Sequence, residues 1–429
     1  MSTQIILSIT IFLVVYAVII SEKIHRTIIA LFGGILMIVL GVVSQERAIH
    51  YIDFNTLGLL VGMMIIVGIT AETGLFRYLA IWSAKKVNGN PVKLFFVLSI
   101  LTAVLSAFLD NVTTVLLTVP VTVSITKQLK VKPTPYLIAQ IFASNIGGTA
   151  TLIGDPPNIM IGSAVKELTF LAFINNLTAI TALILIITLL VMALIYRSEL
   201  TTTKELCQKI SEMDETKQLK NIPLLKTCLF VLTLTILLFI THQYFHLESA
   251  TVALSGASLL LLLTARSSEH SLEHIFSKVE WVALFFFVGL FILVGGLIET
   301  GVISYLAQKS IELTAGNLTA ASLLILWVSA IASAFVDNIP FVATMIPLIK
   351  DMGSLGITNL DPLWWSLSLG ACLGGNGTII GASANIIVAG LAAQEGYNIS
   401  FASYFRIGFP LMLLSILISS VYIYLRYLL

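Results

Sequence analysis

Two aspartate–asparagine pairs lie in apolar surroundings, where a charge is costly. Asp110 and Asn111 belong to the segment SAFLDN, and Asp337 and Asn338 belong to SAFVDN. A carboxylate within apolar segments is usually there to bind or move something. Its oxygens suit a hard cation such as Na⁺, or a proton. The alternative interpretation is that each pair only closes a tight turn, with the asparagine capping the helix that follows.

A third carboxylate, Asp155, interrupts the apolar stretch GGTATLIGDPPNIMIG at residues 147–162. Pro156 and Pro157 can begin a new helix, because proline is tolerated in the first turn. The unwound backbone before them would expose carbonyls, which bind ions in broken membrane helices. We expect close backbone approach and positive φ at the glycines of this segment and of its repeat, namely Gly147, Gly148, Gly374 and Gly375.

The chain repeats itself at a constant offset of 227 residues. Glu72–Gly74 (ETG) recurs at Glu299–Gly301, and Ser106–Asn111 recurs at Ser333–Asn338. Further matches at the same offset are Pro120 with Pro347, Thr151 with Thr378, Gly154 with Gly381, and Asn158 with Asn385. This regularity predicts an internal duplication.

The duplication is asymmetric where the chemistry is expected. Asp155 corresponds to Ala382, and Thr149 corresponds to Asn376. The first half therefore carries two candidate carboxylates and the second half carries one. The residues predicted to bind an ion or substrate are Asp110, Asn111, Asn145, Thr149, Thr151, Asp155, Asn158, Asp337, Asn338, Asn376, Thr378, Ser383 and Asn385, with a candidate Na⁺ site at Asp110, Asn111 and Asp155.

Composition places these motifs in a membrane protein. Of the 429 residues, 58% are hydrophobic and 10% are charged, against about 25% charged in soluble domains. The net charge of +1 predicts no nucleic-acid partner. Cys207, Cys228 and Cys372 have no paired spacing, so neither a disulfide framework nor a thiolate metal site is expected.

Apolar segments of about 20 residues can each cross a bilayer. Uninterrupted runs lie at 4–20, 27–43, 55–71, 170–196, 224–241, 248–264, 280–298 and 404–425, broken ones at 135–166 and 363–394, and paired hairpin arms at 93–126 and 319–349. The prediction is an all-α polytopic membrane protein with five spans, a re-entrant hairpin and a broken helix in each half. Because five is odd, the second half is inverted relative to the first.

This pattern predicts the domains and their orientation. The first inverted repeat is 1–196 (scaffold spans 1–90, hairpin and broken helix 91–196), the connector is 197–222, and the second repeat is 223–429 (scaffold spans 223–318, hairpin and broken helix 319–429). The lysines and arginines predicted outside are Arg47, Lys166, Lys309, Lys350 and Arg426, so the remaining 18 of 23 are on the other side. The connector is therefore expected to be cytoplasmic and both termini outside, in the plasma membrane.

The segments SAFLDNVTTVLLTVP, GGTATLIGDPPN and SAFVDNIPFVATMIP resemble the ArsB/NhaD group of the ion-transporter superfamily, in particular its P-protein-like ion permeases. The resemblance covers nearly the whole chain. It implies an elevator-type transporter, usually a homodimer through its scaffold spans, in which the hairpins and broken helices move. The dicarboxylate branch of the superfamily has Ser-Asn-Thr at the hairpin tips, whereas this chain has aspartates, which would repel a citrate-type substrate.

The expected function is secondary active exchange of Na⁺, or a similar cation, for H⁺. The alternatives are efflux of arsenite or antimonite and, with less support, transport of a citrate-type organic anion. The partners expected are a small inorganic ion and the lipid bilayer, with no cofactor apart from a bound Na⁺. An enzyme is not expected: an intramembrane aspartyl protease needs Gly-x-Gly-Asp and Tyr-Asp, but Leu152 and Leu109 occupy the discriminating positions.

Overall fold

The computed structural model describes residues 3–21, 23–265 and 271–429, and the regular secondary structure within these ranges is helical. The first half contains α1 (Thr3–Ser21), α2 (Arg26–Val39), α3 (Gln45–Tyr51), α4 (Phe54–Glu72), α5 (Leu75–Lys86), α6 (Pro91–Phe108), α7 (Asn111–Gln128), α8 (Thr134–Thr149), α9 (Pro156–Ala164), α10 (Phe170–Phe173) and α11 (Ala179–Ile195). The connector contains α12 (Lys204–Ser211).

The second half repeats this order of helices. It contains α13 (Ile222–Thr241), α14 (Ser249–Thr264), α15 (Leu272–Phe276), α16 (Trp281–Glu299), α17 (Val302–Leu313), α18 (Leu318–Phe335), α19 (Asn338–Ser354), α20 (Asp361–Gly374), α21 (Ser383–Gln394) and α22 (Phe401–Ile423). Short 3₁₀ turns lie at Glu215–Gln218, His242–Phe245 and Gly375–Gly377, and π turns at Ile174–Thr178 and Tyr424–Leu428. Both ends of α4 and of α6 are shifted by the same 227 residues in α16 and α18, so the structure follows the duplication.

Eight helices among the described residues are long and apolar enough to cross a membrane. Their outer faces carry large apolar side chains that are exposed in the isolated chain, such as Leu13 and Leu194. Such a surface requires a nonpolar environment. The polytopic all-α prediction is therefore confirmed.

Two differences from the predicted spans have local causes. The apolar run 27–43 is helical only to Val39, because the chain turns at Gly41, where φ is +71°. The helices α5 and α17 were not predicted, since their charged residues interrupt the apolar runs. Each begins directly after a glycine with positive φ, Gly74 or Gly301, which redirects the chain at the end of the preceding helix.

The helices pack in two groups that together position the hairpins. In one group α4 packs against α14 and α2 against α16, which joins the two halves. These crossings are close: a Cβ on Gly62 would lie 2.5 Å from the carbonyl carbon of Ala253, and one on Gly289 would lie 2.5 Å from that of Ala30. In the other group α6 packs on α8 and α18 on α20, so each hairpin lies against the broken helix of its own half.

Candidate functional site

Each hairpin reverses at its aspartate, which caps the returning helix. Oδ1 of Asp110 accepts a hydrogen bond from the backbone N–H of Thr113 at 2.8 Å, and Asp337 caps α19 through the N–H two residues further on, at 3.2 Å. The alternative interpretation that the asparagines cap these helices is wrong, because the aspartates do so. Asn111 and Asn338 are the first helical residues, so their amides remain available to the interior of the protein.

The broken helices are held open by a buried asparagine in each half. α8 ends at Thr149 and α9 begins at Pro156, as predicted from the prolines. Nδ2 of Asn158 donates to the carbonyls of Thr149 at 3.1 Å and Thr151 at 2.9 Å. Asn385 donates to two carbonyls of the second unwound segment, at 2.7 and 2.9 Å. Both side chains replace backbone hydrogen bonds that the interrupted helices lack.

Two threonines attach the unwound segments to the hairpins. The hydroxyl of Thr151 donates to the carbonyl of Ala107, and the hydroxyl of Thr378 donates to the carbonyl of Ala334. These carbonyls lie near the end of α6 and of α18, just before the tips. The two predicted threonines thus hold each unwound segment against the hairpin of its own half.

The glycines at the ends of α8 and α20 provide close packing. A Cβ on Gly147 would lie 2.2 Å from the carbonyl oxygen of Ala103, and one on Gly374 would lie 2.5 Å from that of Ala330. No real Cβ tolerates such distances. The prediction of positive φ is wrong for all four glycines named above, since none has a left-handed backbone. At Gly147 and Gly374, contact with the hairpin arm rather than turn geometry therefore requires glycine.

A network of side-chain amides joins the two broken helices. Nδ2 of Asn145 donates to Oδ1 of Asn376 at 3.0 Å and to Oδ1 of Asn385 at 2.9 Å. Its Oδ1 accepts from Nδ2 of Asn111 at 3.3 Å. All four side chains are buried. Because hydrogen-bonded amides in a buried network restrict one another, this group couples the first hairpin tip to both halves.

Both hairpin tips border one cavity of about 40 Å³. That volume is sufficient for a water molecule or a small ion. The predicted site residues on its wall are Asp110, Asn111, Asp155, Asn338 and Ser383. The structure thus brings together residues of both halves in one shared site. The other predicted residues on the broken helices lie behind this wall, in the amide and threonine contacts described above.

Asp155 is a buried carboxylate whose hydrogen bonds are incomplete. Its side chain is fully buried, and Oδ1 accepts a hydrogen bond from Nδ2 of Asn338 at 3.4 Å. Oδ2 is also buried and has no hydrogen-bond partner at ordinary geometry, although the thiol of Cys372 interacts with this carboxylate. A buried carboxylate oxygen without a partner is costly, so it favours binding of a proton or a cation.

Arg26 and Glu280 also line this cavity and were not predicted from the sequence. Arg26 forms an ion pair with Asp337, whose Oδ2 also accepts a hydrogen bond from the hydroxyl of Ser383 at 3.0 Å. Asp337 borders a neighbouring cavity of about 330 Å³ rather than the central one. Their position in the sequence could have identified them. Arg26 immediately precedes one predicted apolar run, and Glu280 begins another.

The carboxylates of the repeated ETG segments have a different role. Oε1 of Glu72 lies 2.7 Å from Nε2 of His274 and 3.7 Å from Nζ of Lys278. Glu299 pairs with Arg47 and accepts a hydrogen bond from the hydroxyl of Tyr51 at 2.7 Å. Each glutamate therefore joins one half to the other, away from the central cavity.

No cluster of three or more His, Cys, Asp or Glu side chains that could hold a metal ion occurs within residues 3–21, 23–265 and 271–429. A cation in the central cavity would therefore need amide, hydroxyl or backbone oxygens beside the carboxylates. Na⁺ and other hard cations use such mixed oxygen ligands.

Comparison of the sequence with known proteins identifies the family of this chain. Residues 16–370 match the citrate transporter family CitMHS. An uncharacterized transporter of Mycobacterium tuberculosis is 41% identical over 428 residues, covering 98% of each chain. The human P protein is 34% identical over 503 aligned positions, covering 98% of this chain and 60% of the P protein.

A solved structure has the same fold. The YdaH transporter of Alcanivorax borkumensis, described as having an unusual topology, aligns with a TM-score of 0.63 over 98% of this chain and 97% of its own. Its sequence identity of 13% supports the fold alone. The likeness to the P protein agrees with the resemblance seen in the sequence, while placement in the ArsB/NhaD group stays a prediction. The chain belongs to the citrate transporter (CitMHS) family of membrane transporters.

Proposed function

We propose that this chain is a secondary active transporter that exchanges Na⁺, or a similar hard cation, for H⁺. The observation that supports the proposal is the central cavity, where both hairpin tips meet a fully buried carboxylate. Oδ2 of Asp155 lacks a hydrogen-bond partner at ordinary geometry there. A proton or a cation would satisfy this oxygen, and carboxylates must lose their protons before they coordinate a cation. Competition for one site would therefore couple the two fluxes.

The balance of charge around the cavity favours a cation. Asp110, Asp155 and Glu280 line it, while Arg26 supplies one positive charge. That guanidinium is already paired with Asp337. A wall with this excess of carboxylates attracts positive ions and repels anions.

A citrate-type organic anion is the second candidate, because it is the substrate class in the family's description and because Arg26 reaches the cavity wall. We consider it weaker, since such an anion would face carboxylates of both halves. Arsenite efflux has less support: Cys372 lies behind the wall, where its thiol donates to Oδ1 of Asn158 at 3.6 Å.

For the transport cycle we propose an elevator movement in the plasma membrane. The hairpins and broken helices (91–196 and 319–429) would move against scaffold spans (1–90 and 223–318), and the scaffold would form a homodimer. Both termini would lie outside and the connector 197–222 in the cytoplasm. This proposal is supported by the two packing groups of helices, which meet at the cavity.

The test is transport by the purified protein in proteoliposomes that contain a pH-sensitive dye. Gradients of Na⁺, Li⁺ and K⁺ are imposed in turn, and arsenite and citrate are supplied in parallel. We expect proton movement that depends on one or more of the cations. Citrate uptake without any cation-driven proton movement would contradict the proposal and favour the second candidate.

A further inference from the structure

Asp53 and Glu280 occupy equivalent positions in the two halves, 227 residues apart. Each is the N-cap residue of a long apolar helix: Asp53 precedes α4, and Glu280 precedes α16. Both side chains are partly buried. The inverted repeat therefore places one carboxylate at the start of each of these two spans.

The two carboxylates have different surroundings in this structure. Glu280 makes no capping hydrogen bond and lines the central cavity with Asp110 and Asp155. Asp53 is engaged instead with its own helix and with Ser163 of α9. Its Oδ1 accepts from the N–H of Asn55 at 3.0 Å and from the hydroxyl of Ser163 at 2.9 Å. It borders a separate cavity of about 370 Å³.

The segments that carry these two residues are themselves symmetric. Glu72 contacts His274 and Lys278. Its equivalent, Glu299, contacts Arg47 and Tyr51. These two residues are in turn equivalent to His274 and Lys278, at the same offset of 227. The different surroundings of Asp53 and Glu280 therefore come from the helices packed beside α4 and α16. α9 lies on α4, and α19 lies on α16.

An inverted repeat permits a second arrangement in which the halves exchange these environments. In that arrangement the scaffold residues that border the cavity are replaced by their partners at an offset of 227, whereas Asp155, whose partner is Ala382, stays at the site. Asp53 takes the place of Glu280, and Asp337 takes the place of Asp110. Asn111 and Asn338 occupy equivalent positions, so each tip keeps an amide in either arrangement.

We propose that Asp53 and Glu280 are paired gateway carboxylates, each lining the ion site in one of two alternating states. Glu280 does so in the state described here and Asp53 in the other. Each supplies an oxygen that replaces part of the water shell of an entering monovalent cation, on its own face of the membrane. The nature of the ligand rests on the proposed function; the exchange of environments rests on the repeat.

The first test measures the half-saturating Na⁺ concentration separately from each face, in right-side-out and inside-out vesicles. Glu280→Gln should raise it on the order of tenfold on one face, and Asp53→Asn should raise it similarly on the opposite face only. Glu46→Gln and Glu273→Gln are matched controls, because these exposed glutamates lie seven residues earlier at equivalent positions. Equal effects on both faces, or none, would overturn the inference.

The second test does not depend on the transported ion. In a chain whose three cysteines are replaced by alanine, a short bis-maleimide should join Glu280→Cys to Asp110→Cys and, in the alternative state, Asp53→Cys to Asp337→Cys. The control pair, Glu46→Cys with Asp337→Cys, should not react. Reaction of the first pair without the second would overturn the inference.

The two proposals can therefore fail separately. A wild-type protein that moves no protons with any cation would contradict the proposed function. The cross-linking result would still decide whether the two carboxylates exchange places.

Discussion

Nδ2 of Asn338 lies 3.4 Å from Oδ1 of Asp155, and this contact joins the tip of the second hairpin to the broken helix of the first half. The position equivalent to Asp155 is Ala382, so the reciprocal contact cannot form. The two halves therefore contribute unequally to the central cavity. This asymmetry is consistent with the proposal that one ion is shared between the halves.

We expect Asp155→Asn to fold normally but to lose most of its response to the cation. The amide keeps the shape of the side chain and removes the charge that the cation would neutralise. Stabilisation of the protein by Na⁺ against heat should fall, as mass action requires when affinity drops. The pH dependence of transport should flatten across roughly pH 6 to 9, because one member of a coupled group of carboxylates is lost.

Asp155→Ala, which copies Ala382, should behave in the same way. Glu312→Gln is the control, since that glutamate is exposed and forms an ion pair with Lys309 of its own helix. Unchanged Na⁺ affinity and an unchanged pH profile in Asp155→Asn would exclude this carboxylate from coupling.

Asp110→Asn and Asp337→Asn should each abolish coupled transport without loss of expression. Asparagine is about as good an N-cap as aspartate, so the hairpin turns should survive. Cation-driven proton movement in proteoliposomes is the measurement. If both variants exchange normally, the two carboxylates have structural roles only.

Asp337→Asn should also lower the melting temperature more than Asp110→Asn does. It leaves the guanidinium of Arg26 without its partly buried partner, at a cost of about 1–3 kcal/mol. Adding Arg26→Gln to Asp337→Asn should recover part of that loss. Thermal unfolding in detergent would check this, and a double variant less stable than either single one would argue against the ion pair.

Gly147→Ala should destabilise the protein by about 1–3 kcal/mol, because its Cβ would lie 2.2 Å from the carbonyl oxygen of Ala103. Gly390→Ala is the matched control: it lies within α21, and nothing is within 4 Å of its added Cβ. It should be neutral or slightly stabilising, since alanine favours helix. Equal melting temperatures for the two variants would contradict the tight contact.

Single cysteines placed in the connector, for example at Lys209 or Lys217, should react with impermeant reagents only from the cytoplasm. Cysteines near either terminus should react only from outside. Labelling of intact cells and of inverted vesicles distinguishes the two. A cytoplasmic N-terminus would contradict the charge distribution on which the orientation rests.

Much of the fold could be predicted from the sequence because the signals are local or periodic. Apolar length marks the spans, Pro156 marks the start of a half-helix, and the 227-residue offset makes each half a template for the other. The same offset identified the polar residues of the broken helices. The positive φ predicted at Gly147 was wrong, because packing against a neighbouring helix is what excludes a side chain there.

The sequence by itself determined that carboxylates and amides lie inside a duplicated set of membrane helices, since burying such groups without a use is too costly to be incidental. Only the tertiary structure decided which of them share a cavity. Asn338 and Asp155 are 183 residues apart, and Arg26 and Asp337 are 311 apart. Contacts at that separation depend on how whole helices cross, so neither the shared site nor the roles of Arg26 and Glu280 could be read from spacing along the chain.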